Sequence, residues 1–153
     1  MLRETIQSEL KSALKSGEAK KLSTLRLISA ALKDKDIAAR TKGSGETISE
    51  DEILALLQTM IKQRQESVRL YRDANRNELA DEEEQEITII RGFLPEQMEH
   101  DAVIKAINDT IVEVGAESVK DMGKVMGVLK QRFTGQMDFA VASKTVKDVL
   151  LNQ

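Results

Sequence analysis

The chain predicts an all-α fold, and three observations carry that reading. Apolar residues recur at three- and four-residue spacing along most of its length, no segment alternates with period two for long, and the stripes are interrupted by glycines, capping signals and the single proline. Together they predict a longer N-terminal helical bundle over residues 1–95 and a small three-helix C-terminal domain over 96–153.

Leu2, Ile6, Leu10 and Leu14 define a first helix over about 2–16, which Gly17 is placed to end in a left-handed conformation. Leu22, Leu25, Ile28, Leu32 and Ile37 form a second stripe reaching about Arg40. The next five residues, Thr41 to Gly45, contain two glycines and no apolar side chain, and predict a mobile loop. Ser49 with Glu52 is a capping box that opens a third helix, whose stripe of Ile53, Leu56, Leu57, Met60, Ile61, Val68 and Tyr71 carries it to about Ala74. Asn75, Arg76 and Asn77 supply a turn; Leu79, Glu83, Ile87, Ile90 and Phe93 then continue at helical spacing until Pro95, the expected domain boundary. Beyond it, Val103, Ile104, Ile107, Ile111 and Val114 make a fifth helix ending at Gly115, and Ser118 with Asp121 signals the start of a sixth. The sixth helix turns Met122, Val125, Met126, Leu129 and Phe133 inward and breaks at Gly135. Asp138 caps the last helix, which buries Phe139, Ala142, Val146, Val149 and Leu150.

Composition narrows the function classes. The 153 residues contain no cysteine and one histidine, and Arg3, Glu4 and Gln7 interrupt any apolar leader, so a cytoplasmic protein is expected. The longest apolar run, Ile53 to Leu57, is far short of the roughly 20 residues of a membrane span, and no membrane partner is expected. Net charge is -3, but its distribution is uneven: residues 1–95 carry 16 basic and 17 acidic groups, 96–117 one and six, and 118–153 six and three. The last two helices are therefore the basic end, the part a polyanion would meet first.

That end contains the most distinctive stretch of the chain, Met122-Gly123-Lys124-Val125-Met126-Gly127. A glycine inside a helix costs about 1 kcal/mol relative to alanine, so two of them four residues apart predict a flank that something approaches closely. With Lys120, Lys124 and Lys130 on the same helix, that object is a neighbouring helix or a phosphate backbone. Gly123, Lys124, Gly127, Lys130, Arg132, Lys144 and Lys147 are the candidate RNA-facing residues, against the plainer reading of a solvated surface. Aromatic residues make up 3% of the chain, and Phe133 and Phe139 are wanted by the core, so contact with backbone and shape is expected rather than base stacking.

Catalytic constellations are scarce. His100, between Glu99 and Asp101, has no nucleophile to serve, and the run Asp81, Glu82, Glu83, Glu84, Glu86 reads as a solvated helix face rather than a cation site. Gly43 and Gly45 lack the Lys and Ser/Thr of a phosphate-cradling loop. No catalytic residue, metal or cofactor is expected. Arg69, Arg72 and Arg76 read as surface ion-pairing groups, whereas Arg64 lies on the apolar stripe between Ile61 and Val68 and needs a carboxylate, for which Glu83 and Glu86 on the next helix are the candidates.

Several of these segments, taken jointly, resemble the YqeY proteins, which share a domain with the tail of the B subunit of the glutamine-dependent Asp/Glu-tRNA amidotransferase (GatB/YqeY). The resemblance covers nearly the whole chain. It rests on Lys62, Gln63, Arg64, Glu66 and Ser67; on Ala74, Arg76, Leu79, Ala80, Glu83 and Glu86; on Phe93 to Gln97; and on Met122 to Gly127 with Gly135 and Asp138. It implies a two-part helical protein whose C-terminal part is similar to the tail that grips tRNA, with Gly123, Lys124, Gly127, Lys130 and Lys144 facing the RNA. The carbon-nitrogen ligase reaction, with glutamine as amide donor, is implied only for the parent enzyme, whose catalytic portion this chain lacks. The resemblance thus implies a stand-alone, non-catalytic adaptor binding tRNA or an amidotransferase-related complex; the alternatives are a protein-interaction module or an accessory subunit without RNA contact. Two positions depart from the family pattern. Gln136 stands where a basic residue is frequent, removing one charge from the proposed face, and Asn75 stands where glycine is common, which leaves a left-handed turn open.

Overall fold

The computed structural model describes residues 1–153 and contains seven α-helices, one short 3-10 turn and no strand. The helices are α1 (Leu2–Ser16), α2 (Ala19–Thr41), α3 (Glu50–Asp73), α4 (Asn77–Arg91), α5 (His100–Val114), α6 (Met122–Arg132) and α7 (Phe139–Leu151). They form two compact units, Met1–Pro95 and Glu96–Gln153.

In the first unit α1 packs on α2, α3 lies along α4, and α2 also contacts α4. The core is aliphatic: Ile6, Leu25, Ile28, Ile53, Leu57 and Ile90 are almost completely buried. The Ser49 capping box is formed in full, with Glu52 N donating to Ser49 Oγ at 3.2 Å and Ser49 N to Glu52 Oε2 at 2.7 Å. Asn75 adopts φ 57°, and the Asn75 and Arg76 amides donate to the Arg72 and Tyr71 carbonyls, so α3 ends in a paired C-cap and the chain reverses into α4.

Two apolar assignments shift register. Leu14 is 60% exposed and Ala13 is buried in its place; Ile37 is 48% exposed and Asp36 is buried. The second shift follows from charge. Asp36 turns inward because Arg3 of α1 meets it with both guanidinium arms, Nη1 to Oδ2 at 2.8 Å and Nη2 to Oδ1 at 3.0 Å, while Ile48 N donates to Oδ1 at 2.9 Å. The segment after α2, expected to be a mobile loop, is tied down: Gly43 N and Ser44 N donate to Arg40 O and Ala39 O, Arg40 Nε donates to Glu46 O, and Ile48 is buried. α4 ends at Arg91, four residues short of Pro95, because Gly92, Phe93 and Leu94 close turn-type hydrogen bonds onto Ile89, Ile90 and Arg91.

In the second unit α6 packs against α5 and α7, around Ile107, Ile111, Val125, Leu129, Val146 and Leu150. Ser118 and Asp121 open a 3-10 turn, Val119–Asp121, and α6 follows from Met122. The tighter turn arises because Asp121 Oδ2 accepts from the Glu117 and Ser118 amides at 2.9 and 3.3 Å, which winds the chain before the α-helix begins. Those two amides hold the Asp121 carboxyl below its usual range, with Lys124 adding to the effect. Asp138 caps α7 by accepting from Ala140 N at 3.0 Å and Val141 N at 3.4 Å.

Candidate nucleic-acid interface

α6 lies with Val125, Met126 and Leu129 buried, and its opposite side carries Gly123, Lys124, Gly127 and Lys130, all exposed. Gly123, Gly127 and Lys130 follow i, i+4, i+7 spacing and share one flank. A side-chain carbon built at Gly123 or Gly127 meets no heavy atom within 4 Å. No helix of the second unit closes on the glycines, so the packing of that unit leaves their helical cost unexplained. The result is a low strip of helix backbone open to the exterior and bordered by lysines.

Lys124 and Lys130 of α6 and Lys144 and Lys147 of α7 are exposed, and none is held in an ion pair. Arg132 differs: both its arms engage Glu113 of α5 at 2.6 Å, and the pairing pulls the Glu113 carboxyl below its usual range. Its charge is spent inside the unit, which leaves four of the seven sequence-selected residues as cations outside any ion pair and two as open glycines. Phe133 and Phe139 pack against the core, so no aromatic platform accompanies the lysines. Gln136 takes a structural part through its backbone, its carbonyl accepting from Met98 N at 2.9 Å, next to Gln97 Nε2 donating to Gly135 O at 2.6 Å.

The other sequence-selected cluster lies in the first unit. Arg64 Nε is 3.3 Å from Glu86 Oε2, with both side chains largely buried, and Arg64 Nη1 donates to Met60 O at 3.1 Å. The Nε contact is an ion pair without hydrogen-bond alignment, since that atom is buried and makes no hydrogen bond. Lys20 Nζ approaches the other Glu86 oxygen at 3.7 Å. Glu83 is the second carboxyl of this cluster; burial and the adjacent Glu86 push it above its ordinary value against the pull of Arg64. The acidic run is thus distributed among cations: Glu86 meets Arg64, while Asp81 and Glu84 meet Arg72 at 2.7 and 3.3 Å. Arg69 pairs with Glu66 and Asp73, and Arg76 with Glu78.

The raised Glu83 has a testable sign. A carboxyl that holds its proton more tightly folded than unfolded favours the fold below about pH 4, and that contribution is lost as pH rises through the raised value. Glu83→Gln is therefore expected to raise the urea midpoint at neutral pH and to give no gain near pH 4. Equal midpoints at neutral pH contradict the placement of Glu83 beside Glu86.

None of the helices is long and apolar enough to cross a membrane. Among curated proteins, the chain is 25% identical over 150 residues to "Altered inheritance of mitochondria protein 41, mitochondrial" of Pyrenophora tritici-repentis (strain Pt-1C-BFP), covering 95% of this chain and 78% of the relative. It is 30% identical over 95 residues to an uncharacterized protein of Schizosaccharomyces pombe (strain 972 / ATCC 24843), covering 62% of this chain and 73% of the relative. The family model described as Yqey-like protein matches residues 3–150, a span that takes in both the Arg64 cluster and the glycine-lysine helix. The chain belongs to the YqeY family.

Proposed function

We propose that the second unit is an RNA-binding module that grips the phosphate backbone of tRNA along α6 and α7, and that the protein acts as a non-catalytic adaptor. The observation that carries this reading is the open glycine flank of α6 with unpaired Lys124 and Lys130 beside it. A ribose-phosphate chain can lie against helix backbone there while lysines of α6 and α7 neutralise its phosphates. Missing stacking side chains favour recognition of backbone and shape over base sequence.

The test is a fluorescence-anisotropy titration of labelled bulk tRNA at several salt concentrations. Four lysine-phosphate contacts correspond to a log-log salt slope of roughly -3 to -4. Lys124→Glu is expected to abolish detectable binding at moderate salt, and absence of binding by the parent protein at low salt overturns the reading. The glycines give an independent check. Gly123→Ala and Gly127→Ala, placed in open space in a helix, are each expected to stabilise the fold by about 0.5–1 kcal/mol while weakening tRNA binding. Stabilisation with unchanged affinity shows that nothing docks on the flank.

A second reading, a protein-docking module or accessory subunit, is favoured by Val112 and Val141, which are 80% and 56% exposed in the same unit. It predicts a partner whose binding responds little to salt and is lost in Val112→Asp, with Lys124→Glu neutral.

A further inference from the structure

A separate site lies in the first unit, in the cleft between α1 and α2. It encloses about 270 Å³ and is lined by Arg3, Ser29, Lys33, Asp36, Ile37 and Arg40, among others. Ser29, Lys33, Asp36 and Arg40 follow the three- and four-residue spacing of one face of α2. Asp36, the only carboxylate in the lining, is already saturated: both its oxygens accept from Arg3 and one also from Ile48 N. Its hydrogen bonds go to Arg3 and the Ile48 amide, and no other side chain bonds to it. Lys33 is exposed and in no ion pair, and Arg40 spends only its Nε, on Glu46 O at 2.9 Å, which leaves its two terminal nitrogens free to donate. Arg40 stands near enough to Asp36 for its charge to reach that carboxylate, so it belongs to the cleft rather than to the outer face of α2. Three cations against one carboxylate leave two positive charges for the lining as a whole. Ile37, 48% exposed despite its apolar side chain, offers a surface for an organic body beside them.

We propose that this cleft binds a small phosphate monoester, with the Arg40 terminal nitrogens and Lys33 Nζ on the phosphate and Ile37 against the organic part. A dianion matches the two surplus charges, and a guanidinium with two free donors suits phosphate oxygens. The site uses residues of the first unit alone and does not depend on the RNA reading of the second.

The experiment is a titration of the isotope-labelled full-length protein, followed by amide NMR shifts, with AMP, adenosine and inorganic phosphate as probes. AMP is expected to give saturable shifts concentrated between Ser29 and Arg40, inorganic phosphate weaker shifts at the same amides, and adenosine none. Lys33→Glu, at an exposed side chain without a partner, is expected to weaken AMP binding about tenfold or more, while Lys35→Glu, an exposed neighbour outside the cleft, leaves it unchanged. The proposal is overturned by AMP shifts that do not saturate, by adenosine binding as well as AMP, or by equal losses in the two variants, which indicate diffuse charge attraction.

Discussion

Asp36→Ala is expected to lower the unfolding free energy by about 3 kcal/mol, read as a lower urea midpoint at unchanged slope. Asp36 is the anchor at which three segments meet: Arg3 from α1, the last turns of α2, and the Ile48 amide before α3. Both side chains of the pair are largely buried, at 24% and 10% exposure, so removing the carboxylate leaves a guanidinium with little solvent and a backbone amide without an acceptor. Asp36→Asn keeps an acceptor for Ile48 while losing the charge, and a smaller loss of about 1–2 kcal/mol is expected. The pH dependence has a definite sign. The Arg3 hydrogen bonds, with help from Ile48 and Arg40, hold the Asp36 carboxyl below its ordinary value. Its contribution is therefore present above about pH 4 and is lost as pH falls through the lowered value, so the parent and Asp36→Asn curves converge in acid. Curves that stay parallel contradict the assignment.

Leu129→Ala is expected to cost about 3 kcal/mol and to be more damaging in its context than a similar truncation in the first unit. Leu129 is completely buried on α6, in the cluster that holds α6 to α5 and α7. Truncation removes the transfer free energy of the side chain and leaves a cavity that the surrounding Ile, Val and Met side chains fill only in part. A unit of about 60 residues buries only about 60% of its unfolded surface and has a correspondingly thin margin. Hydrogen exchange of the α5–α7 amides is the measurement, and protection is expected to fall about a hundredfold or more. Unchanged protection would mean that the α6 contacts do not hold the unit together. Because the lysines and open glycines depend on a formed α6, tRNA binding is expected to weaken with it.

Local features of the fold were legible from the sequence. The Ser49–Glu52 pair sets a helix start because both partners lie within one turn, and Gly17, Asn75 and Gly115 mark helix ends because the left-handed conformation there is a property of single residues. Stripes at helical spacing identified most of the core for the same reason: burial of one face is written in the period. The glycine-lysine pattern of α6 was equally visible. Its meaning was not, since spacing alone cannot say whether a neighbouring helix fills the space beside the glycines. The structure leaves it open.

What only the tertiary structure decided are the pairings between residues far apart in the chain. No pattern joins Arg3 to Asp36, and reading α2 by hydrophobicity alone placed Ile37 inward, because a buried ion pair can outweigh one aliphatic side chain in setting which face of a helix turns in. The stripe position of Arg64 states a need for a carboxylate, but only packing of α3 on α4 places Glu86 within 3.3 Å and leaves Glu83 as the carboxyl with the raised proton affinity. Likewise Arg132 reads as one more cation of the basic end until α5 brings Glu113 against it and consumes its charge. The sequence by itself determined the helices, their caps and the sign of charge at each end. Which charges remain free for a ligand was decided by the tertiary structure, because a Coulomb interaction depends on distance in space and carries no period along the chain.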